Sequence, residues 1–561
     1  MRLCFFLIPL YTLMVVGVFN SSHGKSTNFN YNAKNVSNYF SALISFDNYD
    51  YLKSQEFFNK INDSKKNNSN YSSKHIRSLI NSQKYIEAER YSRNLEHKKI
   101  SNFESKLILG LSELKKGNTS SAKIYFNQLE KNVEHRIVFG ILKISLINWS
   151  DIEEGGILSI ENMPGNYNNF KTIQKTLAHC FFEKPGTEKI FKEILEKEKD
   201  NFSRYYFFFA NYLLNKNKKL EAKEIINFAS NKHPQNLLIN QLRKTLIENE
   251  KNNNKFDCKK KNHIIAELFY VIANALSTQG NYELSNFYIN LSKYFNPYFS
   301  SYDSLIAENF FILKKYEKSR KIYKKLSNAG SLYHWHADKH IAFILDEQKK
   351  EKEAINFLEK SYESIEPNIY QTFDFANFLK DRKEYEKSIE LYSSILSKIN
   401  KDHKLYPKVL DRRGTAYERI DEWSLSEKDL LMSLEISPDQ PYVINYLAYT
   451  WLEKGKNLNQ ALEMLRKANE LKKNDGYITD SLGWAFYKLN RFSEAKEYLR
   501  LAIILMPSDP IINDHFADCL WKNNEKIQAR YYWNYVLKLE TTEKKLKETI
   551  ENKLIFGLEK T

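Results

Sequence analysis

The sequence is poor in glycine, proline and cysteine, with 16, 11 and 4 of them in 561 residues. A sandwich or barrel of many short strands needs turn residues at short, regular intervals, so this shortage argues against an all-β chain. It suits long helices joined by short connections. Cys4, Cys180, Cys258 and Cys519 are far apart and form no Cys-x-x-Cys. A zinc ribbon, a thioredoxin-like motif and a disulfide framework are therefore unsupported. An arginine-rich helix or long basic block is also missing. The net charge of +16 arises from 85 basic and 69 acidic residues interspersed along the chain. That reads as composition and disfavours nucleic acid as a partner. Beyond the N-terminus there is no run of about 20 apolar residues, so a membrane contact is expected only through the N-terminal segment.

That segment, "MRLCFFLIPLYTLMVVGVFNSSHGKS", has Arg2, an apolar run from Leu3 to Phe19 and then small polar residues. It has the layout of an export signal with a small-x-small site at Ser22 and Gly24. Residues 1–24 are read as a signal peptide or an N-terminal anchor. The expected location is exported: periplasmic, or held at the inner membrane facing the periplasm.

What the chain has in abundance is a repeat. An apolar residue followed by a small one ends at Ala273, Ala307, Ala342, Ala376, Ala448, Gly483 and Ala517, and Gly414, which follows Arg413, stands in the same ladder. Twelve or thirteen positions later stand Ser285, Ser319, Ala354, Ser388, Ser426, Ala461, Ala495 and Ala529. The period is 34 or 35 residues, apart from one gap of 38 between Ala376 and Gly414. A unit of that length holds two helices and two short turns. Small residues belong where the helices cross, and proline at Pro234, Pro297, Pro438 and Pro507 ends the second helix. A single pair cannot bury its apolar face, so neighbours must stack.

The pattern resembles the tetratricopeptide repeat, most fully from Gly476 to about Ser508. The fold class this implies is all-α, a right-handed α-solenoid of tetratricopeptide-type helix pairs. The stretches "SPDQPYVINYLAYTWLEKG", "DGYITDSLGWAFYKLNRFSEA" and "PSDPIINDHFADCLW" look like large exported tetratricopeptide-repeat proteins of alphaproteobacteria. The expected divisions are an irregular array over 36–236, a linker over 237–262, a regular array of about eight repeats over 263–540, and a capping helix or tail over 541–561. In the first array Ser54, Ala88 and Ala122 keep the period of 34, with Gly110 before Ala122.

Catalytic readings fail on placement. Ser481 and Asp480 lie in a first helix, without the strand-turn-helix elbow that exposes a nucleophilic serine, and His515 sits one repeat later. "HGKS" at 23–26 lacks the earlier glycine of a phosphate-binding loop, because position 19 is Phe. In "YHWHADKH", His336 and His340 share a helix face with His334 nearby, yet no third ligand stands at a suitable position. No catalytic residue, metal or cofactor is expected, and no space remains for a catalytic domain.

The first helix of each repeat lines the groove. The positions six and three before the small residue, then one and four after it, form one stripe. In the last three repeats the stripe reads Tyr442, Asn445, Tyr449; Tyr477, Asp480, Trp484, Tyr487; and Asp514, Asp518, Trp521. Asn445, Asp480 and Asp514 form a ladder able to bond an extended peptide backbone, with aromatics as side-chain pockets. The alternative is that these aromatics pack between repeats. The expected function is a non-enzymatic scaffold or adaptor of the bacterial cell envelope that binds a protein or peptide segment in this groove. A glycan-binding helper in envelope assembly or export is the alternative.

Overall fold

The computed structural model describes residues 33–61, 69–131, 135–156, 160, 168–196, 202–250 and 254–559. The expected signal or anchor at 1–24, Cys4 and the "HGKS" stretch lie outside the described residues. Among the described residues the chain is all-α, with helices, short 3-10 turns and no strand. None of those helices is long and apolar enough to cross a membrane.

In chain order the helices are α1 (Ala33–Asp47), α2 (Tyr51–Asn59), α3 (Ser69–Asn81), α4 (Tyr85–His97), α5 (Phe103–Lys116), α6 (Thr119–Asn127), α7 (Phe139–Ser150), α8 (Ile152–Gly155), α9 (Asn168–Phe181) and α10 (Thr187–Leu195). Next come α11 (Arg204–Asn215), α12 (Lys219–Lys232), α13 (Leu237–Glu248), α14 (Lys261–Thr278), α15 (Tyr282–Phe295), α16 (Ser301–Ile312), α17 (Tyr316–Leu326), α18 (Ser331–Glu347), α19 (Glu351–Glu363) and α20 (Ile369–Lys380). The remainder are α21 (Tyr385–Lys398), α22 (Tyr406–Arg419), α23 (Trp423–Ile436), α24 (Pro441–Glu453), α25 (Leu458–Leu471), α26 (Gly476–Lys488), α27 (Phe492–Leu505), α28 (Pro510–Lys522), α29 (Lys526–Lys538) and α30 (Lys544–Phe556).

Both small-residue ladders are buried where the paired helices meet. Crowding explains them. A Cβ on Gly483 would lie 2.7 Å from Leu499 Cγ and 3.0 Å from the Leu499 backbone nitrogen. At three serine rungs the hydroxyl adds a bond across the pair. Ser285 Oγ donates to the Ala273 carbonyl, and Ser319 Oγ to the Ala307 carbonyl, each at 2.8 Å. Ser54 does the same to Ala42 at 3.0 Å.

A third ladder escapes a reading of side-chain size. Seven residues after each small residue the chain turns through left-handed backbone: Gly280, Lys314, Lys349, Lys383, Asp421, Gly455, Asn490 and Asn524, with φ between 56° and 78°. This residue closes the first helix and aims the second back along it. Only two of the eight are glycine, so the composition-level shortage of glycine is met by strained lysines and by Asn and Asp, which tolerate that region.

The described chain falls into two compact units. The first comprises Met1–Lys184 and Lys259–Pro297. Within it α14 and α15 pack against α3, α7 and α9. Buried polar groups fasten them: His135 Nε2 lies 3.0 Å from Glu104 Oε1, and its Nδ1 2.7 Å from the Tyr288 hydroxyl. Arg77 pairs with Glu283, and Tyr85 donates to the Asn290 carbonyl at 2.8 Å. The second unit comprises Pro185–Cys258 and Tyr298–Thr561. Its two chain segments meet in an aromatic cluster where Phe299 lies 5.8 Å from Phe207 and 6.2 Å from Phe208, which itself stacks on Phe256 of its own segment at 4.0 Å. From α16 onward, each helix pair packs on the next.

Two readings of the sequence change here. Residues 237–248, expected to begin a linker, form α13, whose Leu238, Ile239 and Leu242 are buried. It packs on α18, where Gln241 accepts from the Leu332 amide at 3.2 Å. The pair α14–α15, expected to open the regular array, is held in the first unit by buried polar partners that periodicity does not reveal. Cys519 is a buried free thiol.

Candidate functional site: the first-helix groove of the second unit

The groove stripe is open in the middle of the second unit. A cavity of about 460 Å³ lies against α20, α22 and α24. At its wall are Phe373, Asn377 and Lys380 of α20, Lys408 and Asp411 of α22, and Tyr442 of α24. Each stands at a groove offset from its own small residue. Two adjoining cavities, of about 270 and 480 Å³, lie between α13, α18 and α20 and share Tyr370 and Asn240. His336 and Lys339, again at groove offsets, line the smaller one.

The charges there are partly matched. Lys339 pairs with Asp374 at 2.7 Å and Lys380 with Asp381 at 2.9 Å. Burial raises the Asp411 carboxyl above its usual range, although Arg412 and Lys380 oppose the shift. Burial pushes the His340 imidazole down to about 4 and the His336 imidazole well below its usual value, so this pair is neutral at physiological pH. No group of three or more His, Cys, Asp or Glu able to hold a metal occurs among the described residues.

Toward the C-terminus the stripe turns inward. Tyr442 and Tyr477 are exposed, at 54% and 53%. Tyr442 donates to Asp475 at 3.0 Å, beside Lys472. Asn445 is half-buried, and its Oδ1 has no hydrogen-bond partner among the described residues. Asp480 is buried 2.8 Å from His515 Nδ1. Trp484 lies flat on His515 at 3.9 Å and on Tyr487 at 4.4 Å, and donates its indole N–H to Glu453 at 2.7 Å. Tyr449 meets the same imidazole at 6.3 Å. Asp514 and Asp518 hold Lys553 of α30, with Nζ 2.8–2.9 Å from all four carboxylate oxygens. Trp533 donates to Asp518 at 3.0 Å, and Trp521 packs on Trp533 with ring centroids 5.2 Å apart.

These placements correct the expected ligand stripe for Asp480, Trp484, Asp514 and Asp518, which are committed to partners within the chain. The reason is electrostatic. Successive first helices bring three carboxylates close together, and burying them requires cations, which His515 and Lys553 provide. Burial opposes a charged imidazole, but Asp480, with Asp514 and Asp518, outweighs it and raises the His515 pKa above the usual histidine value. Burial and Asp514 push Asp518 up to about 6 against the pull of Lys553 and Trp533.

Residues 481–507, which cross from α26 into α27, match the family profile described as tetratricopeptide repeat. The chain carries a tetratricopeptide repeat here. A curated tetratricopeptide repeat-containing protein of Pseudomonas aeruginosa is 31% identical over 98 residues, which is 17% of this chain and 17% of that relative's length. Among solved structures, the APC/C hetero-tetramer Cut9–Hcn1 is similar over 94% of this chain and 97% of that one, at 12% identity and a TM-score of 0.38. A tetratricopeptide-repeat protein of Thermus thermophilus is similar over 34% of this chain and all of that one, at 15% identity and a TM-score of 0.29.

Inside the tetratricopeptide pair α26–α27, Ser481 donates its hydroxyl to the Tyr477 carbonyl at 3.0 Å. It takes no part in the Asp480–His515 contact, so no serine triad forms. Reading the sequence missed Glu453 and Lys553, which no repeat offset marks. It also passed over Phe373, Lys408 and the other cavity residues of the earlier helix pairs. Those had a signal: the groove offsets counted from Ala342, Ala376 and Gly414 name them.

Proposed function

We propose that the protein is a non-enzymatic scaffold or adaptor of a bacterial cell envelope, which holds an extended segment of a partner protein along the groove lined by α18, α20, α22 and α24. One observation carries the reading. Open cavities run along the groove offsets of these helices, with aromatic, amide and charged side chains side by side. Amides and charges suit a peptide backbone and its polar side chains, while Phe373, Tyr370 and Tyr442 offer apolar faces. The envelope assignment is supported by the export-like layout of residues 1–24 and by the resemblance of the C-terminal sequence to exported repeat proteins.

The test is crosslinking of the full chain in native cells, with wild type compared to Phe373→Ala/Lys408→Ala/Tyr442→Ala. None of the three side chains is buried, so the variant should fold. Loss of one or more partners supports the groove, and an unchanged partner set from the folded variant refutes it. Sequencing the N-terminus of the mature protein, with protease accessibility in spheroplasts, tests export. A second reading, a glycan in the same groove, is favoured by Trp335 and Tyr370 standing beside Asn240 and Gln371. A saturable change in tryptophan fluorescence on saccharide titration would select it.

A further inference from the structure

The cavity of about 480 Å³ differs from its neighbours in its charge and in one of its walls. That wall is the connection before α22, which supplies Asp402, His403 and Lys404. The connection falls in the single gap of 38 residues in the ladder, where other pairs are joined within 34 or 35. The extra residues stand across the cavity from α13, which supplies Arg243 and Lys244.

Lys244 is already matched by Glu248 at 3.5 Å and Glu250 at 3.1 Å. Arg243 donates from Nε to Asn227 at 3.0 Å, an amide that leaves its charge uncompensated. Neither Arg243 nor Lys404 has a carboxylate within ion-pair distance among the described residues. The Leu405 amide donates to His403 Nδ1 at 3.1 Å, so a neutral His403 carries its proton on Nε2. Asp402, exposed and without an ion-pair partner among the described residues, is the cavity's only carboxylate. A nearby imidazole registers the resulting field. His233 lies below the usual histidine range, first through burial and then through the charges of Lys232 and Lys404.

We propose that this cavity is an anion seat that takes a carboxylate of an acidic peptide segment, with Arg243 and Lys404 as counter-charges and the His403 ring as a donor. The carboxylate belongs to an Asp or Glu side chain or to the peptide's C-terminus. A guanidinium offers paired N–H donors that match a carboxylate, and a lysine adds a mobile point charge. This inference rests on the groove reading and names the chemistry of the segment held there.

The test is fluorescence anisotropy of the full chain with a labelled peptide containing three glutamates, its glutamine counterpart, and the glutamate peptide amidated at its C-terminus. The glutamate peptide should bind at least about tenfold tighter than the glutamine one, and weaken as salt is raised. Arg243→Gln/Lys404→Gln should lose about tenfold or more, and Asp402→Asn should gain a few-fold. Both sites are outside the core, so circular dichroism should be unchanged. If amidation abolishes binding, the seat takes the chain end; if amidation has no effect, it takes side chains. Equal binding of the glutamine peptide, an unchanged affinity in the double variant, or equal competition by a single-stranded oligonucleotide overturns the proposal. In the crosslinking experiment, partners lost by the Phe373/Lys408/Tyr442 variant but kept by Arg243→Gln/Lys404→Gln refute the seat and leave the groove standing. Partners kept by both variants refute the groove reading and the seat with it.

Discussion

Lys553→Met is the most informative single change in the second unit. The lysine Nζ contacts four carboxylate oxygens of Asp514 and Asp518, and the three side chains are only 8%, 10% and 9% exposed. Methionine keeps most of the volume and removes the charge. Two carboxylates then face each other in a buried site, and breaking a buried pair in this way costs about 3–5 kcal/mol. Apolar anchoring of α30 is weaker. Ile550 is its one fully buried apolar side chain, with Leu546, Leu554 and Leu558 partly covered. Burying one isoleucine is worth about 1.5–3 kcal/mol. The electrostatic loss therefore exceeds what holds the helix, and α30 should detach while α16–α29 stay folded. Hydrogen exchange read by mass spectrometry should show the amides of 544–556 unprotected. Tryptophan emission should shift red, because Trp533 loses its bond partner's order and Trp521 its cover at Gly557. Adding Asp514→Asn and Asp518→Asn should restore much of the protection, since the variant then buries no uncompensated charge. Unchanged protection of α30 in Lys553→Met would refute the reasoning.

Other outcomes follow from the same geometry. Gly483→Ala should cost about 1–3 kcal/mol in denaturant titration, because its Cβ meets the Leu499 side chain and backbone. Ser285→Ala and Ser319→Ala should each cost about 0.5–1.5 kcal/mol by losing a buried interhelix bond. Ser426→Ala should be near neutral, since that hydroxyl is buried without a partner among the described residues. Lys383→Gly should raise the melting temperature by relieving a left-handed lysine at φ 64°, a gain of about 0.5 kcal/mol or more after unfolded-state entropy is set against it. His515→Gln should show a pH signature. The folded pKa is raised, so the stabilisation by His515 is full below the unfolded value of about 6.5 and is lost as pH rises through the higher folded value. The stability gap between wild type and variant should therefore be widest near about pH 6 and shrink at alkaline pH; a gap that grows with pH would contradict the Asp480 pairing.

Much of the groove's register could be read from the chain, but not its occupancy. The offsets counted from each small residue are helical geometry, and they name Phe373, Lys408 and Tyr442 as readily as Trp484 or Asp518. Aromatic and acidic residues at those offsets look alike whether they face a ligand or a neighbouring helix. What separates them is the partner across the gap. For Asp514 and Asp518 the partner is Lys553, which lies beyond the last repeat in the sequence. For Trp484 it is His515, one repeat away.

By itself the sequence determined the helix pairs, their period and the positions where the helices touch, because these depend on side-chain size and on 3.6-residue periodicity, which are local. It also determined which face of each first helix lines the groove. Tertiary structure alone decided that α14–α15 join the first unit, that α13 packs on α18, and that the groove is open around α20 and α22 but filled toward α28. Those outcomes depend on buried charges finding partners far along the chain. A lone buried charge is costly and a paired one is tolerated, so the pairing chosen in three dimensions sets which parts of the stripe remain available to a ligand.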